Sequence, residues 1–274
     1  MTDLRQSKPY VTHMKNLGWQ VIKIKGVYCY LRHFPLLGNF IKIQRPKKLT
    51  PRLITHIEKK YHPFHCVIEP NISTDYSLLT THYGFHLSKS TYLPSKTLIL
   101  SLTRSEYSLY KSFAKDTRRL LRKTQNQEIT QTNDIFLFRH AFKNAVNRSR
   151  YVPSVKNLAS LQNTFGKKSL FLLTQNHSTG AVFLRTKKTG YYWLAFTNKE
   201  GRHNKSQYQV LWQGLEWAKK EGCQFFDFEG VYDERFPNKS WQGFTHFKKG
   251  FGGEEVKYPG TFSKVYWKNL LKLN

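Results

Sequence analysis

The sequence predicts an α+β protein of two tandem halves, each a mixed sheet flanked by helices. Three observations predict this. Apolar residues spaced by three and four alternate along the chain with short runs rich in β-branched and aromatic residues. Gly and Pro stand at the ends of these segments. The order helices, three strands, helix, strand, helix, strand occurs twice.

In the first half, Ser7 caps a helix that carries Val11, Met14 and Leu17 and stops at Gly18. Strand-like runs follow at 19–25, 27–32 and 39–44. Thr50-Pro51 starts a helix with Leu53, Ile54 and Ile57 on one face. A strand at 64–69, a short helix at 75–83 and a strand at 97–102 complete the half. The second half opens with helical patterns at 106–123, 135–147 and 154–165. Strands at 169–175, 180–186 and 190–197 come next. The clearest helix is 205–221, with Tyr208, Leu211, Trp212, Leu215 and Ala218 at helical spacing and Gly222 after it. A buried strand at 223–228, a helical turn at 240–249 and a strand at 255–258 follow. This is the element order of an acetyltransferase-like (GNAT-like) fold. Two such domains are expected, at 1–104 and 105–259, with the basic amphipathic tail 260–274 packed back on the first.

The chain has 274 residues with 20 Phe, 16 Tyr and 6 Trp, enough apolar surface for a sizeable core. Lys and Arg number 45 against 17 Asp and Glu, a formal charge of +28. Such a field attracts nucleic acid, anionic lipid or phosphorylated substrates. Cys29, Cys66 and Cys223 have neither metal spacing nor an even count, so buried free thiols are expected. The 11 His add no zinc spacing, and there is no Walker loop or dinucleotide fingerprint. The most apolar stretch, 27–43, is broken by Arg32, His33, Pro35 and Gly38, and no signal-peptide core opens the sequence. The expectation is a monomeric cytoplasmic protein that at most touches an anionic membrane surface from the inner face of the plasma membrane.

Residues 243–253 read GFTHFKKGFGG, followed by Tyr258-Pro259-Gly260. This resembles the C-terminal signature of the FemABX family, in which a Phe-Lys pair precedes Phe-Gly-Gly and then Tyr-x-Gly. WQGLEWAKKEGCQFFDFEG at 212–230, KDTRRLLRKT at 115–124, MKNLGWQVI at 14–22 and FPLLG at 34–38 resemble other parts of the family in the same order. The resemblance implies two acetyltransferase-like domains. It implies transfer of an amino acid from aminoacyl-tRNA to an amine on the stem peptide of a peptidoglycan precursor, lipid II or its nucleotide-linked form. It implies no metal and no organic cofactor.

By that resemblance Lys248 is the family's lysine, placed to stabilise a developing oxyanion or the tRNA 3′ end; the plain alternative is a solvated helix lysine beside Lys249. Gly250, Gly252 and Gly253 permit turns a Cβ would block. Trp241, Phe244, Phe247 and Phe251 recur at near-helical spacing, which suits a core, with Phe247 also a candidate for substrate contact. For the precursor's phosphates the family uses a lysine in its first helix, matched by Lys15, and an arginine in the second domain, for which Arg148 and Arg150 are candidates. Glu69-Pro70 stands where the family has Asp-Pro. Two family tyrosines are replaced, by Phe64 and by Leu194-Ala195, with Tyr192 nearby. Asp227 and Glu229 share a strand face; Asp227 suits a structural hydrogen bond, and Glu229 occupies a family glycine position. Arg118, Arg119, Arg122 and Lys123, and the cluster Arg45, Lys47 and Lys48, are candidates to track tRNA phosphates.

Two other functions compete. A CoA-dependent N-acyltransferase needs a glycine-rich pyrophosphate loop before the helix that follows the strand meander. Residues 201–206, GRHNKS, and 44–50, QRPKKLT, lack one. A non-enzymatic RNA-binding protein would need the charge and the aromatics but not Lys248 in particular.

Overall fold

A computed structural model describes residues 3–146 and 150–270. The chain divides into two compact units. One comprises residues up to 95, 233–237 and those from 257 onward; the other comprises 96–232 and 238–256.

In the first unit, α1 (Lys8–Asn16) is capped by the Ser7 hydroxyl, which accepts from Tyr10 N at 3.4 Å. Strands β1 (Gln20–Ile24), β2 (Val27–Phe34) and β3 (Gly38–Gln44) form an antiparallel meander. Helix α2 (Pro51–Tyr61) starts at Thr50, whose Oγ1 accepts from Leu53 N at 3.2 Å, and crosses over to β4 (Pro63–Glu69), parallel to β3. Helix α3 (Ser77–Thr81) and a two-residue strand β5 (His86–Leu87) follow. Leu53, Ile54 and Ile57 of α2 bury against Cys29, Leu31, Ile41, Ile43, Cys66 and Ile68, forming the core of this unit.

The second unit begins with β6 (Lys96–Ser101), then α4 (Glu106–Ser112), α5 (Lys115–Thr124), β7 (Ile129–Gln131), α6 (Ile135–Ala145) and α7 (Val155–Phe165). Strands β8 (Ser169–Thr174), β9 (Thr179–Arg185) and β10 (Thr189–Thr197) form its meander. Helices α8 (Lys199–His203) and α9 (Ser206–Lys220) cross over to β11 (Phe225–Gly230), parallel to β10. Helix α10 (Gln242–Lys249) and β12 (Glu254–Lys257) follow. The chain then returns to the first unit as β13 (Phe262–Val265), which pairs with β4 and β5, before α11 (Trp267–Leu270). The two sheets run β1-β2-β3-β4-β13-β5 and β12-β6-β11-β10-β9-β8-β7.

Several elements differ from the sequence reading. The strand assigned to the end of the first half, β6, pairs antiparallel with β11, so residues 96–104 group with the second unit rather than the first. Periodicity identifies a strand but not its partner 130 residues away. The single helix expected over 106–123 is two helices. Phe113 and Ala114 are extended between them. Phe113 is buried among the rings of Trp212 and Phe251, and Ala114 N donates to Gly250 O at 2.9 Å. Tertiary contacts here override a helix-favouring sequence. The helix expected from 205 starts at Ser206, because Lys205 turns left-handed at φ 57°. The short strands β5, β7 and β13 carry too few residues to show a period. The three cysteines are free and buried, as expected.

Candidate active site

The second sheet opens at its parallel pair. Pairing of β10 with β11 runs from Thr189 opposite Phe225 to Tyr191 opposite Asp227 and stops, although β10 continues to Thr197 and β11 to Gly230. A bulge between Tyr192 and Leu194 turns β10, and an irregularity between Asp227 and Gly230 turns β11. In the first unit the corresponding pair stays closed to the last residue of both strands, Gln44 opposite Glu69. Diverging strands free backbone N–H and C=O groups that need other partners.

Lys248 takes one of them. It lies on α10, is 8% exposed, and its Nζ donates to Gly230 O at 2.7 Å. The ammonium sits 5.0 Å from the Phe244 ring centroid and 5.6 Å from that of Tyr192. Burial lowers its pKa to about 8, against the opposing fields of Glu229 and Asp227; Arg150 lowers it further. A solvated lysine is therefore excluded, whereas Lys249 beside it is half-exposed and pairs with Glu255 at 2.7 Å. An ammonium has three donors, so Lys248 keeps capacity beyond Gly230.

The strand face beneath it is fixed by Asp227. Asp227 accepts from the Thr97 hydroxyl and, at 2.8 Å, from Glu229 N; Thr97 Oγ1 also lies 2.7 Å from Glu229 O. Asp227 thus has the structural role expected of it. Glu229 holds φ 56°, the left-handed region that favours glycine. That explains physically why a glycine suits this position and marks Glu229 as a strained departure.

Among the other candidates, Tyr192 is buried beside Lys248 and stacks on Phe183, and burial raises its phenol pKa. Arg150 is exposed and donates to Ala195 O at 2.7 Å, at the same opening. Arg148 lies outside the described residues. Phe247 packs edge-on against Tyr208 and Phe251, 4.9 and 5.5 Å away, and belongs to the core. Gly252 and Gly253 have φ of 79° and 99°, as a turn requires, while Gly250 is helical. A Cβ on Gly250 would sit 2.2 Å from Thr117 Oγ1, so its smallness lets α10 approach α5.

Lys15 and Glu69 belong to the first unit. Lys15 is exposed at the end of α1. Glu69 is buried, and its carboxylate accepts from Leu93 N at 2.6 Å, Thr261 Oγ1 at 3.0 Å and Gln44 Nε2 at 3.1 Å. That places it as a tie between β4 and the returning tail. Arg45, grouped with Lys47 and Lys48 as a phosphate candidate, is buried instead. Its guanidinium donates to the carbonyls of Pro70 and Pro94 and stacks 3.5 Å from the Tyr258 ring centroid.

Arg122 and Lys123 are exposed in the last turn of α5, and Arg119 pairs with Asp116 at 3.3 Å on the surface. Arg118 is half-buried. Gln127 Nε2 donates to Asn204 O at 2.9 Å, tying the end of α5 to the junction of α8 and α9, where Arg202, His203 and Lys205 are exposed. The result is one basic edge. Sequence spacing missed this second half of it, as well as Thr97 and Gly230, because all are joined through non-local contacts. Phe244 was detectable, four residues before Lys248 on a helix.

Among the described residues no group of His, Cys, Asp and Glu could hold a metal. Residues 199–205 carry α8 instead of an open phosphate-binding loop. Gly201 is a packing glycine: a Cβ there would meet Thr179 and Thr197.

Residues 174–273 match the model of the FemAB family. The chain is 30% identical over 87 residues to the aminoacyltransferase FemA of Staphylococcus aureus. A crystal structure of FemX superposes with a TM-score of 0.77 at 14% identity, covering 99% of this chain and 94% of that one. The C-terminal part of the chain, residues 174–273, is thus similar to the FemAB family, and the chain shares the fold of FemX. The stretch matched to FemA is 32% of this chain and 20% of the relative, so the chain spans about a fifth of the curated relatives it matches. The C-terminal domain of a putative lysylphosphatidylglycerol synthetase from Agrobacterium fabrum shares the fold, with a TM-score of 0.62 at 12% identity. The FemAB match spans β9 to β11 and α10, and so includes Lys248 and the opening beneath it.

Proposed function

We propose that this protein is an aminoacyltransferase of the FemABX kind, which transfers an amino acid from aminoacyl-tRNA to an amine of a peptidoglycan-precursor stem peptide without metal or organic cofactor. The observation that carries the reading is the buried Lys248 ammonium at the opening between β10 and β11. The likeness to FemA supports it.

In this reading the acceptor amine attacks the carbonyl carbon of the aminoacyl ester. A C–N bond forms, negative charge collects on the carbonyl oxygen, and Lys248 Nζ stabilises it. Collapse breaks the ester C–O bond, and the proton lost by the amine ends on the ribose oxygen that leaves. A buried cation is worth more here than in water, because little solvent screens it. Tyr192 and Phe244 wall the ammonium. The basic edge of α5 and the α8–α9 junction tracks tRNA phosphates through charge, without base readout. Lys15 and Arg150 remain the proposed contacts to the precursor's phosphates. The protein works as a monomer in the cytoplasm.

The test is transfer of a radiolabelled amino acid from charged tRNA to lipid-linked and nucleotide-linked precursors. Labelled product that depends on Lys248 supports the reading. Transfer by Lys248→Ala at the wild-type rate would falsify it.

A further inference from the structure

The end of the first sheet at which β2 turns into β3 has an unusual surface. His33, Phe34, Pro35, Leu36 and Leu37 are exposed in succession. Leu36, at the tip, is 87% exposed and Leu37 is 44% exposed. A run of exposed apolar residues is disfavoured in a folded protein unless it is used. Leu36 also holds φ 68°, a left-handed conformation that costs a non-glycine residue about 1 kcal/mol. The tip is held in place: Leu37 N donates to Phe34 O at 3.2 Å, the Phe34 ring meets Phe64 edge-on, and Asn39 Nδ2 donates to Tyr61 O at 2.7 Å.

The same end of this unit gathers the end of α2, the start of β4, the end of β13 and the start of α11. Tyr266 N donates to Phe64 O and Asn269 Nδ2 to Pro63 O, both at 2.8 Å. Between them Trp267 stands 69% exposed. Lys59 and Lys60 are exposed at the end of α2 nearest the tip, and with His56 and Arg52 they form one stripe back along the outer face of α2, lining a shallow open depression; Lys268 is exposed beside Trp267. The acid of α2, Glu58, is already engaged by Lys264 Nζ and Tyr266 Oη, each at 2.8 Å.

We infer that this end of the first unit docks on an anionic lipid bilayer. Leu36 and Leu37 enter the boundary between headgroups and acyl chains, Trp267 lies at headgroup depth, and the α2 stripe faces lipid phosphates. Charge decides the occupant: a second copy of a +28 chain would bring the same cations to the contact, whereas an anionic surface complements them. The inference stands apart from the transfer reaction, since vesicle binding needs neither tRNA nor acceptor.

The experiment is vesicle flotation with phosphatidylcholine alone and with about a third phosphatidylglycerol. Wild type should float with the anionic vesicles and stay in solution with the neutral ones. Leu36→Ser combined with Leu37→Ser should lower partitioning about tenfold, as should Lys59→Gln combined with Lys60→Gln. Trp267→Ala should weaken it independently, and Lys25→Gln, in the exposed β1–β2 turn at the opposite end of the same sheet, should not. The inference is overturned if wild type ignores anionic vesicles, or if the double serine variant floats as well as wild type. It is also overturned if light scattering shows a dimer that the serine variant dissociates.

Discussion

Lys248 on α10 donates to the carbonyl of Gly230 on β11 across 2.7 Å, beyond the point where β11 has parted from β10. One bond thus satisfies a strand carbonyl that the ladder has released and fixes a buried ammonium at the opening. The loss of Lys248→Ala should be about 10²–10³-fold in kcat, with little change in KM for the charged tRNA. Steady-state kinetics on both parameters checks it.

Lys248 has its pKa lowered by burial to about 8, and the proposed chemistry uses the protonated form. Transfer should therefore fall as pH rises through about 8, and Lys248→Arg should remove that limb if it retains activity. The stability sign is opposite. With a folded-state pKa below the unfolded value near 10.5, the unfolded chain binds more protons between the two, so this group's contribution rises with pH across that window. Below pH 8 the buried charge is a net cost. Lys248→Met relieves that cost but leaves Gly230 O without this donor, so its melting temperature relative to wild type should be highest at pH 7 and fall toward pH 10. Thermal melts at the two pH values measure this.

Much of this was legible in the sequence. Capping by Ser7 and Thr50, the stripe Leu53, Ile54 and Ile57, and the glycines after 250 are local signals, and each fell where spacing put it. The FemABX match pointed to Lys248. What the sequence could not show was its burial, since burial is made by Tyr192 of β10 and Gly230 of β11 meeting Lys248 and its helix neighbour Phe244. Arg45 failed for the same reason. A basic run reads as solvated until the fold closes Pro70, Pro94 and Tyr258 around it. The split of the 106–123 helix and the pairing of β6 also rest on contacts about a hundred residues or more apart.

Glu229→Gly separates strain from charge. The left-handed φ of 56° costs Glu229 about 1 kcal/mol that glycine does not incur, so the variant should be at least as stable as wild type. It also removes the carboxylate field that raises the Lys248 pKa. The fall in transfer rate should therefore move to lower pH. A pH–rate profile that does not move would show that Glu229 does not act on Lys248.

Gly250 tests how α10 is positioned. A Cβ there would lie 2.2 Å from Thr117 Oγ1 but 3.6 Å from Thr117 Cβ, so the hydroxyl is the obstacle. Gly250→Ala alone should push α10 from α5 and cost about 1–3 kcal/mol, and it should strain the bond from Ala114 N to Gly250 O. Thr117→Ala removes the hydroxyl, so the double variant should recover most of that loss. A double-mutant cycle by urea denaturation reads the coupling. Because α10 carries Lys248, Gly250→Ala should also lower kcat, and Thr117→Ala should restore it in the same combination. Additive losses in the cycle would mean that the two helices yield elsewhere, and that Gly250 does not set the position of Lys248.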